Sequence, residues 1–326
     1  MKRIPRFLDY APAPLDLRDE NRPFPRRHIF KQEDVHAINA ALAAGRPLLL
    51  RGRPGTGKSQ LALAAAVGLG RAFVSEVVDA RTESRDLLWR FDAVRRLANA
   101  QVLAAARPTD DRAKTDGDPL HEKKYTTPGP LWWAFQWGEA TDQAKQVGVA
   151  PPTVRRGCDP ANGVVILLDE IDKADSSVPN GLLGVLGDGE FSVPGVAEVR
   201  CEGVAPLVVI TTNEERSLPN AFLRRCAVHE LTLDRDPELL EDWLLRLAKA
   251  HFPDLETALF EEAAMLLLED REQCLRDDVH PPGGAEFLDL LRAIAEQNPK
   301  TPEDATALMA IARQFLLRKR PRDEGR

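Results

Sequence analysis

Apolar positions alternate between two rhythms along the first two thirds of the chain and keep only one in the last third. Val35, Ile38, Ala41 and Leu42 recur at helical spacing, which predicts a helix over Glu33–Ala44 with Gly45 as its stop. The run Pro47–Arg51 reads as a short apolar strand leading into a glycine-rich loop, and Lys58–Val67 as a Leu- and Ala-rich helix. Ala72–Val78 is a second strand, followed by a helical run over Leu87–Ala106. Residues 107–127 are polar and turn-rich and are expected to form an inserted loop. Helical spacing resumes at Leu131, and a second loop-like insert over about 148–163 carries Pro151, Pro152 and Pro160. Val164–Leu168 is continuously apolar, as in a strand buried on both faces of a parallel sheet. A helix over Val178–Leu186, a hairpin or irregular strand pair over Phe191–Cys201, and strands at Leu207–Ile210 and Val228–Leu233 follow. From Pro237 to Leu317 every strong period is helical.

That change of rhythm predicts an α/β domain over residues 31–235 and an all-α domain over 236–318, with a basic tail at 319–326. Residues 1–30 hold five prolines and seven basic against four acidic side chains, the composition of an extended N-terminal arm. No internal repeat is visible.

Composition narrows the function classes. A net charge of -7 argues against a protein that coats nucleic acid through bulk charge. The four cysteines, Cys158, Cys201, Cys226 and Cys274, form no CxxC pair and have no His at ligand spacing, so they read as reduced packing residues. The first residues lack an apolar signal core, and the apolar stretch Leu61–Leu69 is too short to span a bilayer. A cytoplasmic protein without a membrane span is the expectation.

Chemistry concentrates at three points. Gly52-Arg53-Pro54-Gly55-Thr56-Gly57-Lys58-Ser59 satisfies the phosphate-loop pattern in full and lies between a strand and a helix, as that motif requires. Its glycines let backbone N–H groups turn inward around phosphate oxygens, and the helix start adds unpaired N–H groups, Gln60 following at once. Lys58 would reach the β- and γ-phosphates of ATP and the Ser59 hydroxyl would ligate Mg²⁺. The buried run ending at Leu168 delivers Asp169 and Glu170 to the sheet edge, Asp169 for the metal shell and Glu170 as general base toward water. Asn213 ends the next apolar run; it can bond the attacking water or the γ-phosphate, or it can serve ordinary turn chemistry.

Together the glycine loop, Leu168-Asp169-Glu170-Ile171-Asp172-Lys173, Thr211-Thr212-Asn213 and Ala221-Phe222-Leu223-Arg224-Arg225 resemble an AAA+ ATPase module over roughly residues 30–300. Gly129-Pro130-Leu131 and the hairpin from Glu190 to Cys201 resemble the MoxR-type branch. The resemblance implies a five-stranded parallel sheet flanked by helices, a small helical lid, and a homo-oligomeric ring, usually a hexamer, with ATP between subunits. It also implies Asn213 as sensor 1, Arg225 rather than Arg224 as the finger serving a neighbour's γ-phosphate, and a protein partner that is remodelled or chaperoned, often one with a von Willebrand factor A domain. A nucleic-acid motor or loader, or a slow switch in a signalling or defence complex, uses the same ATP chemistry. One position departs from the family: where many relatives carry a phosphate-binding lid arginine, this chain has Ala285, so either Arg276 or Arg292 substitutes or the lid reports nucleotide state less directly. The aromatic stretch Leu131-Trp132-Trp133-Ala134-Phe135-Gln136-Trp137 is expected to pack in a core or a subunit interface.

Overall fold

The structure is a computed structural model describing residues 7–17, 26–105, 118–196, 198–277 and 279–317. In chain order its strands and helices are β1 (Leu15–Asp16), β2 (Arg27–His28), α1 (Gln32–Ala44), β3 (Leu48–Arg51), α2 (Lys58–Leu69), β4 (Ala72–Val77), β5 (Trp89–Phe91) and α3 (Ala93–Ala105). They continue with β6 (Thr126–Pro128), α4 (Pro130–Phe135), α5 (Trp137–Val147), β7 (Val164–Asp169), α6 (Ser177–Asp188), β8 (Glu190–Phe191), β9 (Val199–Arg200) and β10 (Leu207–Thr211). The last are α7 (Asn220–Leu223), β11 (Ala227–Glu230), α8 (Pro237–His251), α9 (Thr257–Arg276), α10 (Gly284–Gln297) and α11 (Pro302–Leu316).

The central sheet has five strands in the order β11-β3-β10-β7-β4. Strand β10 pairs in parallel with both β3 and β7, and β7 pairs in parallel with β4. Every side chain from Val164 to Leu168 is buried, which is why β7 shows no alternation. This parallel sheet flanked by helices, with a helical C-terminal region, is the α/β fold that the alternating rhythm and the resemblance lead one to expect.

Contacts divide the chain into two compact units. The first gathers the described residues of Met1–Asp9, Gln32–Arg51 and Ala62–His229. Its core joins sheet residues such as Ile166, Leu168 and Ile210 to the aromatic stretch, with Trp132 1% exposed. Trp133 meets Trp137 edge-on at 5.2 Å and Phe135 meets Phe191 at 5.8 Å, so these rings are packing residues here. The second unit gathers the described residues of Tyr10–Lys31, Gly52–Leu61 and Glu230–Arg326. Its core is built on Leu244, Phe260, Leu267, Phe287, Leu291, Ile294 and Met309 from α8 to α11. Asp236 and Thr301 cap the starts of α8 and α11 through their side chains, each followed by a proline suited to the first helical turn. The guanidinium of Arg313 on α11 clamps the buried Asp270 of α9 at 2.7 Å, and that bond holds its pKa above the ordinary value.

Two stretches differ from the sequence reading. The helical run expected from Leu87 is broken: Ser84–Leu87 is a 3-10 turn, β5 follows, and only then does α3 begin. Strand β5 pairs antiparallel with β6, which lies at the end of the expected loop 107–127. A three-residue strand carries too little periodicity to be seen without its partner. The expected tail at 319–326 lies outside the described residues. In the arm, Leu8 and Leu17 are buried, Leu15–Asp16 pairs with Arg27–His28, and the Asn39 side chain bonds both backbone groups of Leu8 at 2.8 Å.

Candidate functional site

The phosphate loop follows directly on Arg51, the last residue of β3. Gly52, Gly55 and Gly57 all take positive φ, at 139°, 79° and 93°. At Gly52 a Cβ would stand 2.5 Å from the Leu231 carbonyl oxygen, so only glycine fits there. At Gly57 a Cβ would meet none of the described residues within 4 Å. Lys58 opens α2 and is buried; its Nζ donates to the carbonyl oxygens of Gly52 at 2.6 Å and Arg53 at 3.1 Å. The Thr56 hydroxyl donates to the same Arg53 oxygen at 2.9 Å, which fixes the turn. Pro54 is exposed and Ser59 half-buried. The Gln60 amide donates at 2.7 Å to the Arg27 carbonyl of the N-terminal arm, an oxygen that also bonds His251 of α8 at 2.8 Å.

The acidic pair lies at the carboxyl end of the sheet in the first unit. Register sets Ile210 beside Leu168, so Thr211 comes level with Asp169. The fully buried Thr211 hydroxyl donates to Asp169 Oδ1 and accepts the Glu170 backbone N–H at 2.9 Å. Glu170 itself takes the left-handed conformation, φ 62° and ψ 47°, a strained choice for a residue with a side chain. Both its carboxylate oxygens have donors: Lys173 Nζ at 2.6 Å on Oε2 and Asn213 Nδ2 at 3.4 Å on Oε1. The Glu170 bond also raises the Lys173 pKa. Asp169, Glu170 and Asn213 are thus brought together, and two further residues join them. Thr211 and Lys173 stood inside the quoted motifs, yet only the fold assigns them partners.

Arg225 and Arg224 are both exposed, and the Arg225 guanidinium donates to the Leu183 carbonyl at 3.2 Å. In the second unit Gly283 caps α10, and Glu286 folds back so that its Oε2 accepts the Gly283 N–H at 3.0 Å. Ala285 is exposed. Arg276 pairs with Glu272 at 2.7 Å and Arg292 with Asp289 at 2.7 Å, each on its own helix.

Residues 47–226, more than half of the chain, match the model of the AAA domain, dynein-related subfamily. The chain belongs to this AAA family. Among curated proteins, none matches it. Two solved structures are similar to this AAA protein. A point mutant of RuvB from Thermotoga maritima shares 15% identity, covers 86% of this chain and 68% of its own, and has a TM-score of 0.46. A candidate ATPase from Cytophaga hutchinsonii shares 15% identity, covers 87% of this chain and 79% of its own, and has a TM-score of 0.38. Membership implies nucleotide binding, and the residues suit it: a loop of positive-φ glycines for phosphates, and hard oxygen donors on Ser59 and Asp169 of the kind Mg²⁺ prefers. No helix of the described residues is long and apolar enough to cross a membrane.

Proposed function

We propose that this AAA protein hydrolyses ATP with Mg²⁺ as a ring-forming, MoxR-type ATPase whose cycle remodels or chaperones a protein partner. The observation that carries the reading is the bonded set Asp169, Glu170, Thr211 and Asn213 at the strand ends of a chain that also holds a complete phosphate loop. In this reading the backbone N–H groups of Gly52–Gln60 cradle the phosphates and Lys58 offsets charge on the β- and γ-phosphoryl oxygens. Ser59 and Asp169 would hold Mg²⁺, which when bound would supply further charge neutralisation for the phosphoryl oxygens. Glu170 accepts a proton from the water whose oxygen attacks the γ-phosphorus, while the bond to the bridging oxygen breaks and ADP leaves. Asn213 fixes one carboxylate oxygen of that base, and Arg225 serves the site of a neighbouring subunit.

The MoxR assignment is supported by two local features. Gly129 packs its α-carbon so tightly that a Cβ would stand 2.7 Å from the Leu88 backbone, and it caps α4 directly before the buried aromatic stretch. The β8–β9 hairpin follows α6 as that branch would have it. On the same footing we take residues 31–235 as the nucleotide-binding module and 236–318 as its lid. A hexamer, a cytoplasmic location, and a partner with a von Willebrand factor A domain complete the proposal. The net charge of -7 favours a protein partner over a nucleic-acid track.

The test uses two inactive variants. Lys58→Ala subunits have a defective loop and an intact finger, and Arg225→Ala subunits the reverse. Each alone should lose about 10³-fold or more in ATPase rate. Mixed and allowed to exchange, they should regain activity at interfaces that combine both intact parts. A flat titration with exchange confirmed overturns the shared site, and a Lys58→Ala variant that binds and hydrolyses ATP normally overturns the ATPase reading.

A further inference from the structure

Within the second unit, one arginine stands beside the phosphate loop that no motif marks. Arg271 lies on α9, half-buried, and its Nη1 donates to the Pro282 carbonyl. The segment it holds lies against the loop. A Cβ on Gly283 would be 3.6 Å from the Gly55 carbonyl oxygen, and a Cβ on Gly55 would be 3.1 Å from Glu286 Oε2. Among the described residues no carboxylate pairs with Arg271. Burial, and then the like charge of Arg53 in the loop, press its pKa below the ordinary arginine value, with the Glu286 charge opposing.

A half-buried guanidinium held against a turn that packs on the phosphate loop is unfavourable by itself, since burial removes water from its charge. An anion of high charge beside it would offset that cost. Such an anion would meet Arg53 and Lys58 of the loop as well as Arg271, with Glu286 opposing. The segment Pro282–Glu286 that Arg271 grips is the same stretch where this chain has Ala285 in place of an arginine.

We propose that Arg271 is the lid's contact to the polyphosphate of the bound nucleotide, supplied from α9 in place of the arginine missing at the start of α10. The proposal rests on the ATP reading above. Arg271 would then bind charge on the nucleotide while tying α9 to the loop-facing turn, so that lid position and nucleotide charge are linked.

The experiment is displacement of a fluorescent ATP analogue by ATP, by AMP and by inorganic tripolyphosphate, on the full chain and on Arg271→Ala and Arg271→Lys, with melting temperatures read without nucleotide. Loss of one charge-assisted contact should weaken ATP and tripolyphosphate about 10- to 100-fold. AMP binding should stay within about twofold and Arg271→Lys should recover part of the loss. The melting temperature of Arg271→Ala without nucleotide should not fall, because a desolvated, like-charged group has been removed. A folded Arg271→Ala variant that binds ATP like the parent overturns the assignment. So does a lower melting temperature with ATP and AMP weakened equally, since that is the signature of a purely structural tie to Pro282. Failure of the unmodified chain to bind ATP or tripolyphosphate overturns the ATP reading itself, and separates that failure from the first.

Discussion

Replacing Thr211 by valine removes one hydroxyl and keeps the shape, and the fold makes that hydroxyl answerable for two acids at once. It donates to the Asp169 carboxylate and accepts the N–H of Glu170, a residue already held in the left-handed region. A hydrogen bond to an ionised group contributes about 1.5–3 kcal/mol and one to a backbone N–H about 1 kcal/mol. Thr211 is 0% exposed, so water cannot easily replace the lost partner, and a net loss of about 2–4 kcal/mol is expected. Four of the five tryptophans, Trp89, Trp132, Trp133 and Trp137, belong to the first unit. Urea unfolding followed by tryptophan fluorescence therefore reads chiefly the unit that holds Thr211. Kinetically, freeing the Asp169 carboxylate and the Glu170 backbone from their registered positions should lower the ATPase rate about 10²-fold, the scale of a 1 Å misplacement. Thr211→Ser keeps the hydroxyl and should stay within about tenfold of the parent rate. A Thr211→Val protein with unchanged urea midpoint and unchanged rate would refute the coupling of the two acids through this side chain.

Two further outcomes follow from the site. Glu170→Gln should bind ATP and hydrolyse it at least 10²-fold more slowly, because an amide cannot take the water's proton; light scattering with ATP should then show a longer-lived assembly. Gly52→Ala should unfold the second unit at lower urea and abolish nucleotide binding, because its Cβ would collide with a backbone oxygen at 2.5 Å while φ stays at 139°. A soluble Gly52→Ala protein with parental affinity would contradict the loop geometry.

The features that were plain in the sequence are those whose physics is local. The phosphate loop is legible because glycines at fixed offsets answer to backbone dihedrals within eight residues. Strand β7 is legible because burial on both faces erases alternation. Strands β5 and β6 were not, since each is three residues long and defined only by pairing with the other. Helix α3 shows helical spacing although none of its side chains is buried, so periodicity there says nothing about packing. Thr211 and Lys173 lay in motifs already singled out, but their roles depend on the alignment of β10 with β7 and on a left-handed turn at Glu170. Arg271 had no local signature at all. It bonds Pro282, in the turn that lies against Gly55, from a helix more than 200 residues downstream of the loop.

The Lys58 ammonium, bonded to the carbonyl oxygens of its own loop, makes nucleotide capture an exchange of partners rather than the arrest of a loose charge. Phosphate oxygens must outcompete two carbonyl dipoles that are already well placed. A single weakly charged group offers little over those dipoles, whereas a chain of phosphates brings several charges to the same cation and to the N–H groups around it. On the ATP reading, the loop would therefore favour ligands that bring several charges over those that bring one. Its resting contacts preserve the turn in the meantime, so the glycines need not be reordered each time a product departs.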